Sequence, residues 1–386
     1  MERPEAPTDR SEPTEQVGAR GAGRPPARRA TPARDFRDAI QDIAGPEGRV
    51  GRGTPIALIR AGTSRGMYVR REDLPGDPVV RDSLLLRFFG AQDGEIADGV
   101  GGERPALRKL GIIDRVAAGS DGIPVLTYTF GQVAETLTGI DYGAECGNIA
   151  AGIPLFASLY GWCAGPEQGG SAWLHMLNTG KRLRAEWAPG DRHGGAVRLV
   201  FVDPVPRGAD GVLPLGTTID RIESEDGSGI RFSVVSALND YVFIDSRDIG
   251  VADPVSMEVT NATFESIAGV LATVASRFES HRVLKVCLVA PVSERSGFVR
   301  ARILYPRERW SHPGFAVTGA VTLAVACCLR GSVLEPCEAE LGPESLITIE
   351  HPGGAATVRW ALRPDGFPET VSLRRSCRLV LRGMAY

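Results

Sequence analysis

Tyr142-Gly143-Ala144-Glu145-Cys146-Gly147-Asn148-Ile149-Ala150-Ala151-Gly152-Ile153 puts a cysteine at the point where a glycine-bearing loop becomes an apolar helix. A helix start leaves its first backbone N–H groups without intrahelical acceptors and carries the positive end of the peptide dipoles. Those groups favour an anion there, either a thiolate or a carboxylate brought in by a ligand. A lone cysteine in apolar surroundings is more often a packing residue. The stretch therefore becomes a site only if the rest of the chain supplies a pocket and a second group for proton transfer.

The helix that follows, residues 149–160, closes at Gly161, fifteen residues after Cys146. An echo stands further along: after His312-Pro313-Gly314-Phe315-Ala316-Val317-Thr318-Gly319-Ala320 a second Ala/Val/Leu helix closes at Gly331, fifteen residues after Ala316. Strand-like runs feed each helix. They fall at 55–60, 67–69, 107–113, 125–130, 172–177, 182–187 and 197–202, and again at 232–236, 241–244, 283–288, 299–304, 346–351, 357–362 and 371–373. Two further helical spacings occupy 82–89, ended by Gly90, and 264–278. Pro, Gly, Asp and Ser concentrate between 204 and 229, where the connection between two units is expected. Two halves, each with strands feeding one buried helix, predict a pseudo-duplicated fold whose helix starts face each other across a cleft. Residues 1–53, rich in Pro, Gly, Arg and Glu, read as a disordered tail with room for a short helix at 36–43.

With 386 residues, 43% hydrophobic content and a formal net charge of −3, the chain is of two-domain size and its charge gives no reason to expect nucleic acid binding. No run of eighteen apolar residues predicts a membrane-spanning helix, and the N-terminus lacks the apolar core of a signal peptide. Cys146, Cys163, Cys287, Cys327, Cys328, Cys337 and Cys377 form no CxxC or Cys/His ligand spacing. A reducing cytoplasm and no metal site are the expectation. Arginine so dominates the basic residues that lysine occurs only at Lys109, Lys181 and Lys285, which singles each of them out. In Leu107-Arg108-Lys109-Leu110-Gly111-Ile112-Ile113 a strand either carries the amine inward, where burial favours an amine's neutral, basic form, or lets it snorkel to water. Ala61-Gly62-Thr63-Ser64-Arg65-Gly66 is either an anion-binding turn or a plain hairpin with a solvated arginine.

Taken in order, several motifs resemble the PrpF-type isomerases over about residues 54–386. They are Gly62-Thr63-Ser64-Arg65-Gly66, Asp98-Gly99-Val100-Gly101-Gly102, Cys146-Gly147-Asn148, His312 with Thr318-Gly319-Ala320, Ile349-Glu350-His351-Pro352-Gly353-Gly354 and Arg374-Arg375-Ser376-Cys377-Arg378-Leu379. The resemblance implies an α+β, diaminopimelate-epimerase-like fold: two pseudo-symmetric domains, each a curled, mostly antiparallel sheet around a central helix, with a cofactor-free site between them. The domains are expected at 54–225 and 226–370, with about 370–386 returning to the first. Where two-thiol epimerases carry their second cysteine this chain has Ala316, which fits the branch using one lysine and one cysteine. Lys109 and Cys146 are the implied catalytic pair, although the flanks of Lys109, and Asn239-Asp240-Tyr241 further on, depart from the family pattern. Ser64, Arg65, Gly66, Gly147, Asn148, His312, Thr318, Gly319 and Ala320 are the implied substrate-binding residues.

The implied reaction shifts, or isomerises cis to trans, the double bond of an aconitate-, mesaconate- or itaconate-like acid. The expected partner is accordingly a small unsaturated di- or tricarboxylate, with no cofactor, no metal, no nucleic acid and no membrane, and a homodimer as a possible assembly. Two alternatives remain at this point: a one-cysteine racemase or epimerase on the same fold, and a non-catalytic carboxylate-binding or enzyme-stabilising partner.

Overall fold

The computed structural model describes residues 53–92, 95–96, 99–116, 119, 121–205, 211–223, 229–278, 284–292, 296–337 and 344–386. The tail expected up to residue 53, apart from Gly53 itself, the short helix at 36–43, and Asp98 of the glycine loop lie outside the described residues.

The first half is a closed ring of strands. Thr54–Ala61 pairs antiparallel with Ser64–Arg70, which pairs parallel with Lys109–Val116. Next come Val125–Val133 antiparallel, Gly170–Met176 parallel, Arg182–Trp187 antiparallel and Gly194–Val202 antiparallel. The second half repeats this series of senses in the same order. Gly229–Ser236 pairs antiparallel with Asp240–Asp245, followed by Lys285–Pro291 parallel, Phe298–Tyr305 antiparallel, Ser345–His351 parallel, Gly354–Leu362 antiparallel and Pro368–Ala385 antiparallel. The last strand serves both halves: residues 370–378 pair with Gly194–Val202 and residues 377–385 with Thr54–Ala61, which closes the first ring.

Five helices are described: α1 (Pro78–Phe88), α2 (Gly147–Ser158), α3 (Asn261–Ser266), α4 (Ala268–Arg277) and α5 (Val317–Cys327). Parallel neighbours require a crossover, and α1 and the α3–α4 pair provide it for the first parallel pairing of each half. α1 starts at Pro78 because Asp77 caps it, its carboxylate accepting from the N–H groups of Val79 and Val80. α1 covers an outer cluster containing Leu85, Phe88 and Leu110, and the α3–α4 pair covers one containing Phe264, Val270 and Val286. The spacing read as one helix over 264–278 is broken at Ile267 into α3 and α4.

α2 and α5 run inside the two halves and are apolar on every side, as a helix surrounded by strands must be. Residues 147–157 and 317–326 are all buried. One continuous core, including Phe156 and Leu199 from the first half and Tyr241 and Leu323 from the second, joins the halves. Burying each such large side chain contributes on the order of 2 kcal/mol, so the seam between the halves is part of the core. Among the described residues no helix is long and apolar enough to cross a membrane.

Candidate active site

The two inner helices meet start to start at the seam. Cys146 and Ala316 hold equivalent positions as N-caps of α2 and α5, and neither helix has a side chain capping its first N–H groups. The first intrahelical bonds run from Ala150 N–H to the Cys146 carbonyl, 3.2 Å, and from Ala320 N–H to the Ala316 carbonyl, 2.9 Å. The N–H groups of 147–149 and 317–319 are thereby left without intrahelical acceptors. Gly147 permits this approach, since a Cβ there would stand 2.2 Å from Val317 Cγ1. A cavity of about 150 Å³ opens beside the contact, with Cys146 and Thr318 in its wall.

Two amines face that cavity from equivalent places in the two halves. Lys109 begins the strand that pairs parallel, opposite Gly66, with its half's second strand, and Lys285 begins the corresponding strand opposite Tyr241. Lys109 Nζ donates to Gln132 Oε1 at 2.8 Å and lies 5.1 Å from the centre of the Phe130 ring. Gln132 is itself held, its amide donating to the carbonyls of Pro105 at 3.1 Å and Arg108 at 2.8 Å. Lys285 Nζ lies 5.5 Å from the Tyr241 ring and 5.7 Å from the Tyr305 ring. With the Asn239 amide turned to suit its neighbours, Asn239 Oδ1 accepts from Lys285 Nζ at 3.1 Å and from Thr318 Oγ1 at 3.0 Å. Burial, and after it the charge of Lys109, pushes the Lys285 ammonium down to about 8. Acidic residues also line the cavity: Glu145 is buried, while Asp141 and Glu308 are exposed at its edge.

Asn148 ties the start of α2 to the first hairpin, its Nδ2 donating to Thr63 Oγ1 at 2.9 Å and Ser64 Oγ at 3.3 Å. The hairpin turns at Gly62, whose φ of 54° and closeness to Asn148 Oδ1, 2.3 Å from where a Cβ would sit, both demand glycine. His312 closes the wall opposite. Its Nδ1 accepts from Gly314 N–H at 3.0 Å, which leaves Nε2 as the protonated nitrogen, 3.5 Å from Thr63 Oγ1. Burial, aided by the charges of Lys109, Lys285 and Arg375, pushes the ring down to about 4.

Of the residues singled out in the sequence, Ser64, Lys109, Cys146, Gly147, Asn148, His312 and Thr318 line the cavity, and Arg65, Gly66, Gly319 and Ala320 do not. Ser64 and Arg65 are consecutive on one strand, so their side chains leave opposite faces. The Arg65 guanidinium donates instead to the carbonyls of Val100 at 3.3 Å and Gly101 at 2.7 Å, pinning the glycine loop. The Arg65 guanidinium thus turns to the glycine loop and not to the cavity wall. Gly66 lies under α2, where a Cβ would meet Ile149 Cδ1 at 2.5 Å, and Gly319 packs beside Ile303 and Tyr241. Ala320 spends its N–H on the first intrahelical bond. Lys285, singled out in the sequence but given no role in the site, and Gln132 and Tyr305 are among the wall residues that sequence reasoning did not place there. The scarcity of lysine was the available signal for Lys285, although it points equally to Lys181, whose Nζ donates to the carbonyls of Ala237 at 2.7 Å and Pro204 at 3.3 Å.

3-Methylitaconate isomerase of Eubacterium barkeri is 27% identical over 375 residues, which covers 86% of this chain and 96% of that protein. 4-Oxalomesaconate tautomerase of Pseudomonas putida is 29% identical over 354 residues, covering 86% and 95%. The crystal structure of methylitaconate-delta-isomerase superposes with a TM-score of 0.66 at 23% identity, covering 86% of this chain and 94% of that one. A hydroxyproline epimerase from Agrobacterium vitis gives 0.50 at 14%, covering 86% and 89%. The α+β fold is thus that of the proline racemase and diaminopimelate epimerase type. The family model described as PrpF protein matches residues 52–188 and 189–386, and the chain belongs to the PrpF protein family.

Proposed function

We propose that this protein is an isomerase that moves a proton along the allylic unit of a small unsaturated di- or tricarboxylate, shifting its double bond or rotating it from cis to trans. The observation that carries the reading is one thiol and an amine in the wall of a single cavity, between two helix starts whose first N–H groups are uncapped. The relatives' names point the same way, since methylitaconate and oxalomesaconate are unsaturated acids of this class.

Removing a proton from the carbon next to the double bond leaves a dienolate whose charge spreads onto a carboxylate. The N–H groups of 147–149 and 317–319 are fixed before the reaction begins, and such preorganised donors stabilise developing negative charge more than mobile water does. Lys109, steadied by Gln132, and Cys146, at the start of α2, are the two proton-transfer groups: one removes the allylic proton and the other returns a proton at the far end of the unit. Each contributes about 100- to 10,000-fold. Ala316 in place of a second thiol weighs against two-thiol racemisation. The test is to incubate aconitate, mesaconate and itaconate with the protein in deuterated water and follow their vinyl signals by NMR. The wild type moves the double bond of at least one acid with deuterium incorporation, and Lys109→Ala and Cys146→Ala each slow it by the factor above. Variants as fast as the wild type would overturn the mechanism.

A further inference from the structure

Cys146 has only Ala316 as its counterpart, whereas Lys109 has a true counterpart in Lys285, reached through the same strand of the repeat. The second half has therefore kept an amine and an uncapped helix start while lacking the thiol. We propose that Lys285 is the anchor for a second carboxylate, so that the substrate carries at least two acid groups, one for each half of the cavity. This rests on the carboxylate-isomerase reading and assigns within it a residue that selects the substrate.

Three features of the surroundings support the assignment. First, Asn239 accepts from both Lys285 Nζ and Thr318 Oγ1, which links the amine to the start of α5, so a carboxylate bound there would meet the ammonium and the open N–H groups of 317–319 together. Second, the charged and titratable groups around Lys285 are Lys109, Cys146, Asp240, Glu308 and the neutral His312, with the rings of Tyr241 and Tyr305 beside it. Among the described residues none of the acids stands within ion-pair distance of Lys285 Nζ, and Asp240 accepts from Ser236. Third, an ammonium has three donors, and Asn239 takes one of them. An enclosed ammonium with no ion-pair partner among the described residues is unfavourable, and a ligand carboxylate would supply one.

The test compares mesaconate with tiglate, the acid of the same skeleton in which a methyl group replaces one carboxylate, on wild type and Lys285→Met by titration calorimetry and ligand-observed NMR. The expected result is that Lys285→Met weakens mesaconate by about 10- to 100-fold, as loss of a charge-assisted hydrogen bond does, and leaves tiglate within about twofold. A second readout uses the wild type alone, in case the variant does not fold. At pH 8.5 roughly three-quarters of an amine titrating at about 8 is neutral. Mesaconate binding, measured in two buffers of different ionisation heat, should then draw up as much as that fraction of a proton. Equal weakening of both acids, unchanged mesaconate binding, or no proton uptake overturns the assignment of Lys285 and leaves the isomerase reading standing. Failure of the wild type to bind any of mesaconate, itaconate or tricarballylate overturns both.

Discussion

His312 lines the same cavity as Lys109 and Lys285, whose charges help to keep its ring neutral. Its Nδ1 accepts from Gly314 N–H, and with the ring pushed down to about 4 it is neutral around pH 7. The consequence for stability has a definite sign. A histidine in the unfolded chain titrates near 6.5, so between about 6.5 and 4 the unfolded state binds a proton that the folded state refuses. The stability His312 permits is complete above pH 6.5 and falls as the pH drops through that window, by about 3 kcal/mol in all. His312→Asn keeps an acceptor for Gly314 N–H and removes the titration. Urea unfolding from pH 7 to 4.5 should show a pH dependence shallower by nearly one proton in the variant, and identical slopes would show that the buried ring is not what titrates. His312 was legible in the sequence as a candidate only through the family resemblance of the motif that carries it. Its neutrality was not legible, because that comes from enclosure by residues distant in the chain. The direction of Arg65 was hidden for a related reason: composition left an anion-binding turn and a plain hairpin both open, while strand alternation sends its side chain to the opposite face from Ser64.

Where α2 and α5 meet, the backbone geometry of both starts depends on one missing side chain. Gly147→Ala would set a methyl group 2.2 Å from Val317 Cγ1 and 2.6 Å from Val317 Cβ. Because the Cβ contact is also too close, trimming Val317 to alanine relieves only part of the clash, and the helices must separate. Overpacking of this kind costs about 1–3 kcal/mol. The prediction is that Gly147→Ala lowers stability in chemical denaturation by that amount and reduces turnover as well, since the open N–H groups move apart, while Gly147→Ala with Val317→Ala recovers part of both. Full activity in the single variant would mean that the spacing of the helix starts does not matter. These two helices were the most legible elements of the chain, because mostly apolar runs, with no charged residue in either helix, between glycine-bearing starts and Gly161 or Gly331 leave little choice. The strands were legible as segments, but their partners were not: register is fixed by contacts far apart in sequence, so the equivalence of Lys109 and Lys285 emerges only from the parallel ladders. The last strand was read as residues 371–373 and runs over Pro368–Ala385. Its outward positions mix Arg374, Arg378 and Arg382 with the apolar Val380, Leu381 and Met384, which hides the alternation, while pairing on both sides supplies the order that the local sequence does not advertise.

That last strand also determines how the two halves depend on each other. Residues 368–373 lie between Gly354–Leu362 of the second half and Gly194–Val202 of the first, and from residue 377 onward the strand pairs with Thr54–Ala61. The ring around α2 is therefore completed only by the end of the chain, after the second half has formed. Together with a core that is continuous across the seam, this predicts one cooperative unfolding transition for the whole of the described structure, with no independently melting half. Ending the chain at Arg378 tests it. The truncation leaves the outer edge of residues 54–59 unpaired and removes about five backbone hydrogen bonds, a loss on the order of 5 kcal/mol, besides exposing a strand edge prone to pairing with other molecules. Trp173 and Trp187 report on the first half and Trp310 and Trp360 on the second, so variants retaining only one pair separate the two signals. In the full chain both signals should follow a single thermal midpoint, and in the truncated chain both should fall together although no residue of the second half's own strand pairs has been touched. The seam cavity should lose its ligand in the same step, because its walls come from both halves. A second-half signal that kept its midpoint while the first half melted would instead describe two domains that merely touch, with an active site assembled by docking rather than by folding.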